Sequence, residues 1–181
     1  MPQLPPEKGN PYGIHKGTVT TNIDPEMRGR LLVSVPYPKT PVSLWVEACF
    51  PFTGKGVGFY AVPPKGAIVW VMFLAGDTKN GVWLGCTWTS AAELPIKGGP
   101  ATLPEKVFIG TKTTTLEIDD VASKFELKVK AGAPPLQMTF DPQGILLMNK
   151  QATIKMTQHD IEVIHTAAKA VFKKDSIKME A

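Results

Sequence analysis

The residues that could carry chemistry are few, and their spacing suits none. No Ser/His/Asp, Cys/His or paired-carboxylate constellation with useful spacing occurs in the 181 residues. Asp119-Asp120 falls among turn residues, where carboxylates accept bonds from local backbone amides, so catalysis is not expected there. Gly54-Lys-Gly-Val-Gly58 has the composition of a phosphate loop but completes neither a P-loop nor a GxGxxG pattern, and no helix signal follows. It reads as a flexible loop. His159 and His165 share strand parity with Ile161 and Val163, which makes them candidates for an inward ring of imidazoles holding a metal, an anion or water. A turn placed differently would leave one or both in solvent. Cys49 and Cys86 each sit in an apolar run and read as two buried, reduced thiols rather than a disulfide or a metal pair. Trp45, Trp70, Trp83 and Trp88 lie in apolar strands without interleaved arginine, which fits core or subunit packing better than a base-stacking platform. No cofactor and no enzymatic activity are expected.

The elements that would position these residues are short strands. Gly 16 and Pro 17 disfavour a helical bundle, while 43% hydrophobic and 20% charged residues are ordinary globular values. Residues 1–12 read as a proline-rich extended arm with no apolar core of a signal peptide, so export by that route is not expected. The longest apolar stretch, Ala67 to Ala75, is about half a membrane span. Residues 13–90 hold five β-type runs with no helical periodicity, which predicts a small barrel. Among them Ala67 to Phe73 is nearly all apolar, and so is buried on both faces or placed at a closure point. Residues 91–106 read as a linker. The balance of 20 Lys+Arg against 16 Asp+Glu is mildly basic, and its densest cluster, Lys169, Lys173, Lys174 and Lys178, lacks the tight stripe of a nucleic-acid footprint.

Residues 107–181 alternate regularly. Leu116 and Ile118, Phe125, Leu127 and Val129, Leu136, Met138 and Phe140, Ile154 and Met156, and Ile177 and Met179 form one face, and charged or polar residues form the other. Breakers at Asp119-Asp120, Gly132 to Pro135, Asp141 to Gly144 and Asn149 to Gln151 divide the strands. This predicts a meander with one dry face and nothing in the sequence to cover it. Such a chain should aggregate unless it self-associates. Three copies about one axis form the smallest cyclic closure that encloses a core on all sides, which makes a homotrimeric prism the expected assembly.

The run Gly17-Thr-Val-Thr-Thr-Asn-Ile-Asp-Pro-Glu-Met-Arg-Gly-Arg-Leu-Leu-Val-Ser-Val-Pro36 resembles the opening of the baseplate assembly protein V family. Trp45-Val-Glu-Ala, Gly56-Val-Gly-Phe-Tyr-Ala-Val-Pro, Gly66-Ala-Ile-Val-Trp-Val-Met-Phe, Gly76-Asp77 and Trp83-Leu-Gly follow in the family's order. Thr114-Thr-Leu-Glu-Ile-Asp-Asp120 resembles the lead-in to its needle. That family supplies the central spike of contractile phage tails and is related to the VgrG spikes of type VI secretion. The resemblance implies an all-β chain: an N-terminal OB-fold collar, then a C-terminal triple-stranded intertwined β-helix made by a homotrimer. The implied role is mechanical, joining a baseplate hub to a tip and piercing the target envelope when the sheath contracts.

Some relatives carry a lysozyme domain between collar and needle; here a short linker stands there, so cell-wall cleavage is not expected. Some phage spikes end in iron held by a His-x-His motif. The run Ser176-Ile-Lys-Met-Glu-Ala181 contains no histidine, so the inward Ile177 and Met179 are expected to meet a separate PAAR-type tip protein. Arg28 and Arg30 flank the first hairpin turn, where they either contact the hub or lie in solvent. The expected setting is a virion tail baseplate or an extracellular contractile particle assembled in the bacterial cytoplasm, touching the target membrane only on penetration and binding no nucleic acid. The alternative is an OB-fold module for single-stranded nucleic acid or glycan with an oligomerising β tail.

Overall fold

The computed structural model describes residues 11–36, 41–96, 99, 101, 103–130, 136–166, 168–173 and 176–180. Residues 1–10 of the expected arm, the Gly132 to Pro135 breaker, positions 97, 98, 100 and 102 of the expected linker, and Lys174 lie outside the described residues. The chain divides into two compact units, Met1–Leu94 and Pro95–Ala181. Both are built from strands, and the helical segments described are three-residue 3-10 turns at Leu74–Gly76, Ala91–Glu93 and Leu103–Glu105.

The first unit contains β1 (Ile14–Thr21), β2 (Leu31–Val35), β3 (Val42–Ala48), β4 (Thr53–Gly54), β5 (Val57–Gly58), β6 (Ile68–Phe73) and β7 (Gly81–Thr87). Five of these close a barrel in the order β1-β2-β3-β7-β6, while β4 and β5 pair only with each other. The barrel pairings are antiparallel except β3 with β7. Period-two alternation sends Leu31, Val33 and Val35 of β2 and Val69, Val71 and Phe73 of β6 inward. They meet Val19, Leu44, Val46 and Trp83 in one core. The apolar run at Ala67 to Phe73 is explained by closure, since β6 bonds to both β1 and β7. Its outward Trp70 is half-buried, with Lys16 Nζ 5.2 Å from the ring centroid.

The cysteines correct one expectation. Cys49 and Cys86 are free thiols, and both are exposed rather than buried. Cys49 follows the last β3 rung, where Ala48 pairs with Trp83. Cys86 pairs with Val69 beyond a register shift at Trp70/Val71, and it opens on a groove instead of the core.

The second unit is a single nine-stranded antiparallel meander. Its strands are β8 (Lys106–Gly110), β9 (Thr114–Asp119), β10 (Lys124–Val129), β11 (Leu136–Asp141), β12 (Gly144–Met148), β13 (Ala152–Met156), β14 (Asp160–His165), β15 (Ala168–Lys173) and β16 (Ser176–Glu180), each paired with its sequence neighbours. The breakers work as side-chain caps. Asp141 Oδ1 accepts the amides of Gln143 and Gly144 at 2.9 and 3.2 Å, and Asn149 Oδ1 accepts those of Gln151 and Ala152, both at 2.8 Å. Thr157 Oγ1 does the same for His159 and Asp160 at 3.1 Å. Gly144 has φ +139°, and a Cβ there would run into the Met156 carbonyl, so the tight β11–β12 turn requires glycine.

Leu31 is fully buried at the centre of the barrel core. Leu31→Ala should therefore cost about 2–5 kcal/mol of barrel stability, measured by denaturant unfolding followed through tryptophan fluorescence.

Candidate functional site

The pairing register gathers the apolar residues of the meander into rows that cross every strand. Val107, Ile118, Phe125, Phe140, Ile145, Met156, Ile161, Phe172 and Ile177 are successive cross-strand partners. A second row runs through Ile109, Leu116, Leu127, Met138, Leu147, Ile154, Val163, Ala170 and Met179. Directly opposed residues on antiparallel strands share a face, so both rows lie on one side of the sheet. Neither row is interrupted by a polar residue. From β11 onward the rows repeat every sixteen residues: Phe140, Met156 and Phe172; Ile145, Ile161 and Ile177; Met138, Ile154 and Ala170; Leu147, Val163 and Met179. This period is the signal that assigns Ile145, Leu147, Ala170 and Phe172 to the face, and strand-by-strand alternation alone does not reveal it.

Among the described residues, nothing covers these rows within one chain. Twelve of the face's large residues are exposed, among them Ile154, Met156, Ile161, Val163 and Phe172. A hollow on the same face is lined by Leu127, Val129, Leu136, Met138, Leu147 and Ile154.

The opposite face was expected to be wet, yet it contains the buried polar residues Thr115, Asp119, Glu126 and Thr139. Lysine stems lying across their acidic partners account for this. Lys106 Nζ is 2.6 Å from Asp119 and 3.3 Å from Glu117, and Lys128 Nζ is 2.6 Å from Glu126. Gln137 Nε2 donates to Glu126 at 2.9 Å and to Thr139 at 2.8 Å. The Lys106 ammonium holds the Asp119 carboxyl below its ordinary range. Among the described residues, the buried polar groups of this face thus all have partners, while much of the apolar face lies against water.

The two histidines separate. His165 ends β14 on the same face as Ile161 and Val163, between Ala152 and Ala168. His159 lies in the bend capped by Thr157, before β14 begins, and so escapes the alternation that was to turn it inward. Ile177 and Met179 close the two rows on β16 and are 65% and 83% exposed. Asp119 accepts the Ala122 amide at 3.0 Å, the local turn role expected of it. Gly54 to Gly58 forms the β4–β5 hairpin. Of the tryptophans, Trp83 is buried and its Nε1–H donates to the Gly29 carbonyl at 3.2 Å, whereas Trp88 is exposed. Among the described residues, no group of three or more His, Cys, Asp or Glu side chains is placed to hold a metal ion.

On the barrel, Asp24 organises the β1–β2 loop. Its carboxylate accepts the amides of Glu26, Arg28 and Arg30 at 2.9, 2.8 and 3.1 Å, and the Arg30 guanidinium at 3.1 and 2.8 Å. Arg30 also pairs with Glu26 at 3.0 Å and lies over Trp45, and its side chain is largely covered. Arg28 is half exposed and bridges Glu26 and Glu47 at 2.7 and 3.0 Å. Gly29, at φ +78°, passes under Phe50 and Tyr60, where a Cβ would come within 2.8 Å of the Phe50 ring. The loop so held presents Ile23 and Met27 to solvent.

Residues 15–88 match the family model of the type VI secretion system/phage-baseplate injector OB domain. No curated protein matches the chain. The closed barrel is thus similar to the injector OB domain of baseplate and type VI secretion proteins, and the match points to a baseplate-type structural role in a tail or injection particle.

Bonding to Arg30, reinforced by three backbone amides, holds the Asp24 carboxyl far below the usual carboxylate range. A carboxyl depressed in the folded state contributes stability above its unfolded value of about 4 and loses it as pH falls through the folded value. Asp24→Asn should lower the melting temperature at pH 7 and flatten the decline between pH 4 and 2. Calorimetry across that range checks this, and an undiminished acid decline in the variant would refute the assignment.

Proposed function

We propose that this chain is the central spike of a contractile injection apparatus: a homotrimer that joins a baseplate hub to a PAAR-type tip protein and pierces the target envelope on sheath contraction. The observation that carries this reading is the pair of unbroken apolar rows, nine residues each, left uncovered by the chain's own fold. Eighteen aligned apolar side chains, eleven of them exposed to water, would drive aggregation. Three sheets turned face to face about an axis bury the rows together and give each sheet edge a neighbour, which yields the triple-stranded intertwined β-helix.

In this reading residues 13–90 are the collar, 91–106 the linker and 107–181 the needle. The polar faces, already stitched by Lys106–Asp119 and Lys128–Glu126, form the outside of the needle. Ile177 and Met179 end the buried rows and meet the tip protein. His165 is the candidate for an axial ring of imidazoles. Arg28, and the loop that Arg30 and Asp24 hold, are the candidate contact with the hub. The role needs binding and stiffness and no catalysis, in keeping with a structural family.

Light scattering coupled to size exclusion should give three times the 19.6 kDa chain mass at micromolar concentration, unchanged in high salt. Ile154→Lys and Ile161→Lys each place a charge inside the proposed core. Both should abolish the trimer while the barrel keeps its near-ultraviolet circular dichroism. A monodisperse wild-type monomer with an intact second unit would overturn the reading.

A further inference from the structure

Resting on the trimeric reading above, we infer that the β4–β5 hairpin of each copy seats in the groove beside Trp88 of the next copy, so that the collars lock hand to hand around the ring. Two unlike apolar features on the barrel lead to this. One is convex. The β4–β5 hairpin is a separate two-stranded sheet, and it presents Phe52, Val57, Phe59 and Tyr60 to solvent. An isolated two-stranded hairpin is marginal in water and is steadied when its apolar side chains are covered. The other is concave, a groove of about 460 Å³ walled by Pro63, Pro64, Ile68, Cys86 and Trp88, with Trp88 59% exposed. Its size suits a few apolar side chains.

Cyclic symmetry above two requires a heterologous interface, in which one patch meets a different patch on the neighbour. A protruding apolar hairpin and an apolar groove on the same barrel provide that pair, whereas a two-fold dimer would need a self-complementary patch. The groove also lies where the chain leaves the barrel, since Thr87, Trp88, Thr89 and Glu93 all line it. Three chains that braid beyond residue 106 must converge from these exits, which brings the grooves toward the neighbouring copies. Glu93 at the rim is already engaged by the Thr89 amide and hydroxyl, so seating the hairpin strands no carboxylate.

The exposed Cys86 serves as a reporter inside the groove. In a Cys49→Ser background, Thr53→Cys or Val57→Cys should form an intermolecular disulfide with Cys86 under mild diamide oxidation. Covalent trimers should then appear on a non-reducing gel. Lys79→Cys, on the β6–β7 turn, should give no such product. In an otherwise wild-type Cys49→Ser trimer, alkylation of Cys86 should be several-fold slower than in Phe52→Ser/Val57→Ser. A trimeric mass with neither cross-link and no difference in alkylation would overturn this interface while leaving the trimer standing. A monomeric mass would overturn both.

Discussion

An apolar side chain aligned with its cross-strand partners has to be covered by something, and in this protein that requirement governs the whole second unit. The antiparallel register places Leu127 opposite Leu116 on one side and Met138 on the other, and the same holds along each row. Each strand of the meander pairs with its sequence neighbours in a fixed register, so the strands cannot shift by one residue to hide the rows without turning the lysines and glutamates inward. The backbone thus fixes the face and leaves its apolar rows open.

The first unit solves the same problem internally. Its five strands bend into a closed barrel, and Leu31, Val33, Val35, Val69 and Val71 become inaccessible to solvent. The barrel thus closes its sheet within the chain, whereas the meander leaves one apolar face open. The barrel's remaining apolar surface, at Met27, Phe52, Tyr60 and Trp88, is concentrated on loops and a hairpin. The Asp24 carboxylate spends five hydrogen bonds holding one of those loops rigid, an arrangement that favours contact over folding alone.

Much of this was legible in the sequence, because period-two alternation and turn residues are local signals. The all-β class, the barrel and the alternating strands from Leu116 to Met179 all follow from them. What escaped depends on register or on bends of a single residue. His159 and His165 have equal parity, yet the bend capped by Thr157 holds His159 outside β14, which begins at Asp160. Cys86 sits in an apolar run, yet it lies near the end of β7, where it is exposed and lines a groove. The burial of Glu126 and Asp119 beneath lysine stems is invisible to any scale that scores residues singly.

The sixteen-residue repeat also makes this sheet extensible. One period is two strands with their connections, and it returns both rows to the same face. Duplicating a period would add two strand spacings, about 10 Å, with no new packing to invent. Deleting one would shorten the sheet by the same step. Copying a short stretch of gene is thus enough to change the length of the sheet in fixed steps, a ruler graduated in hairpins.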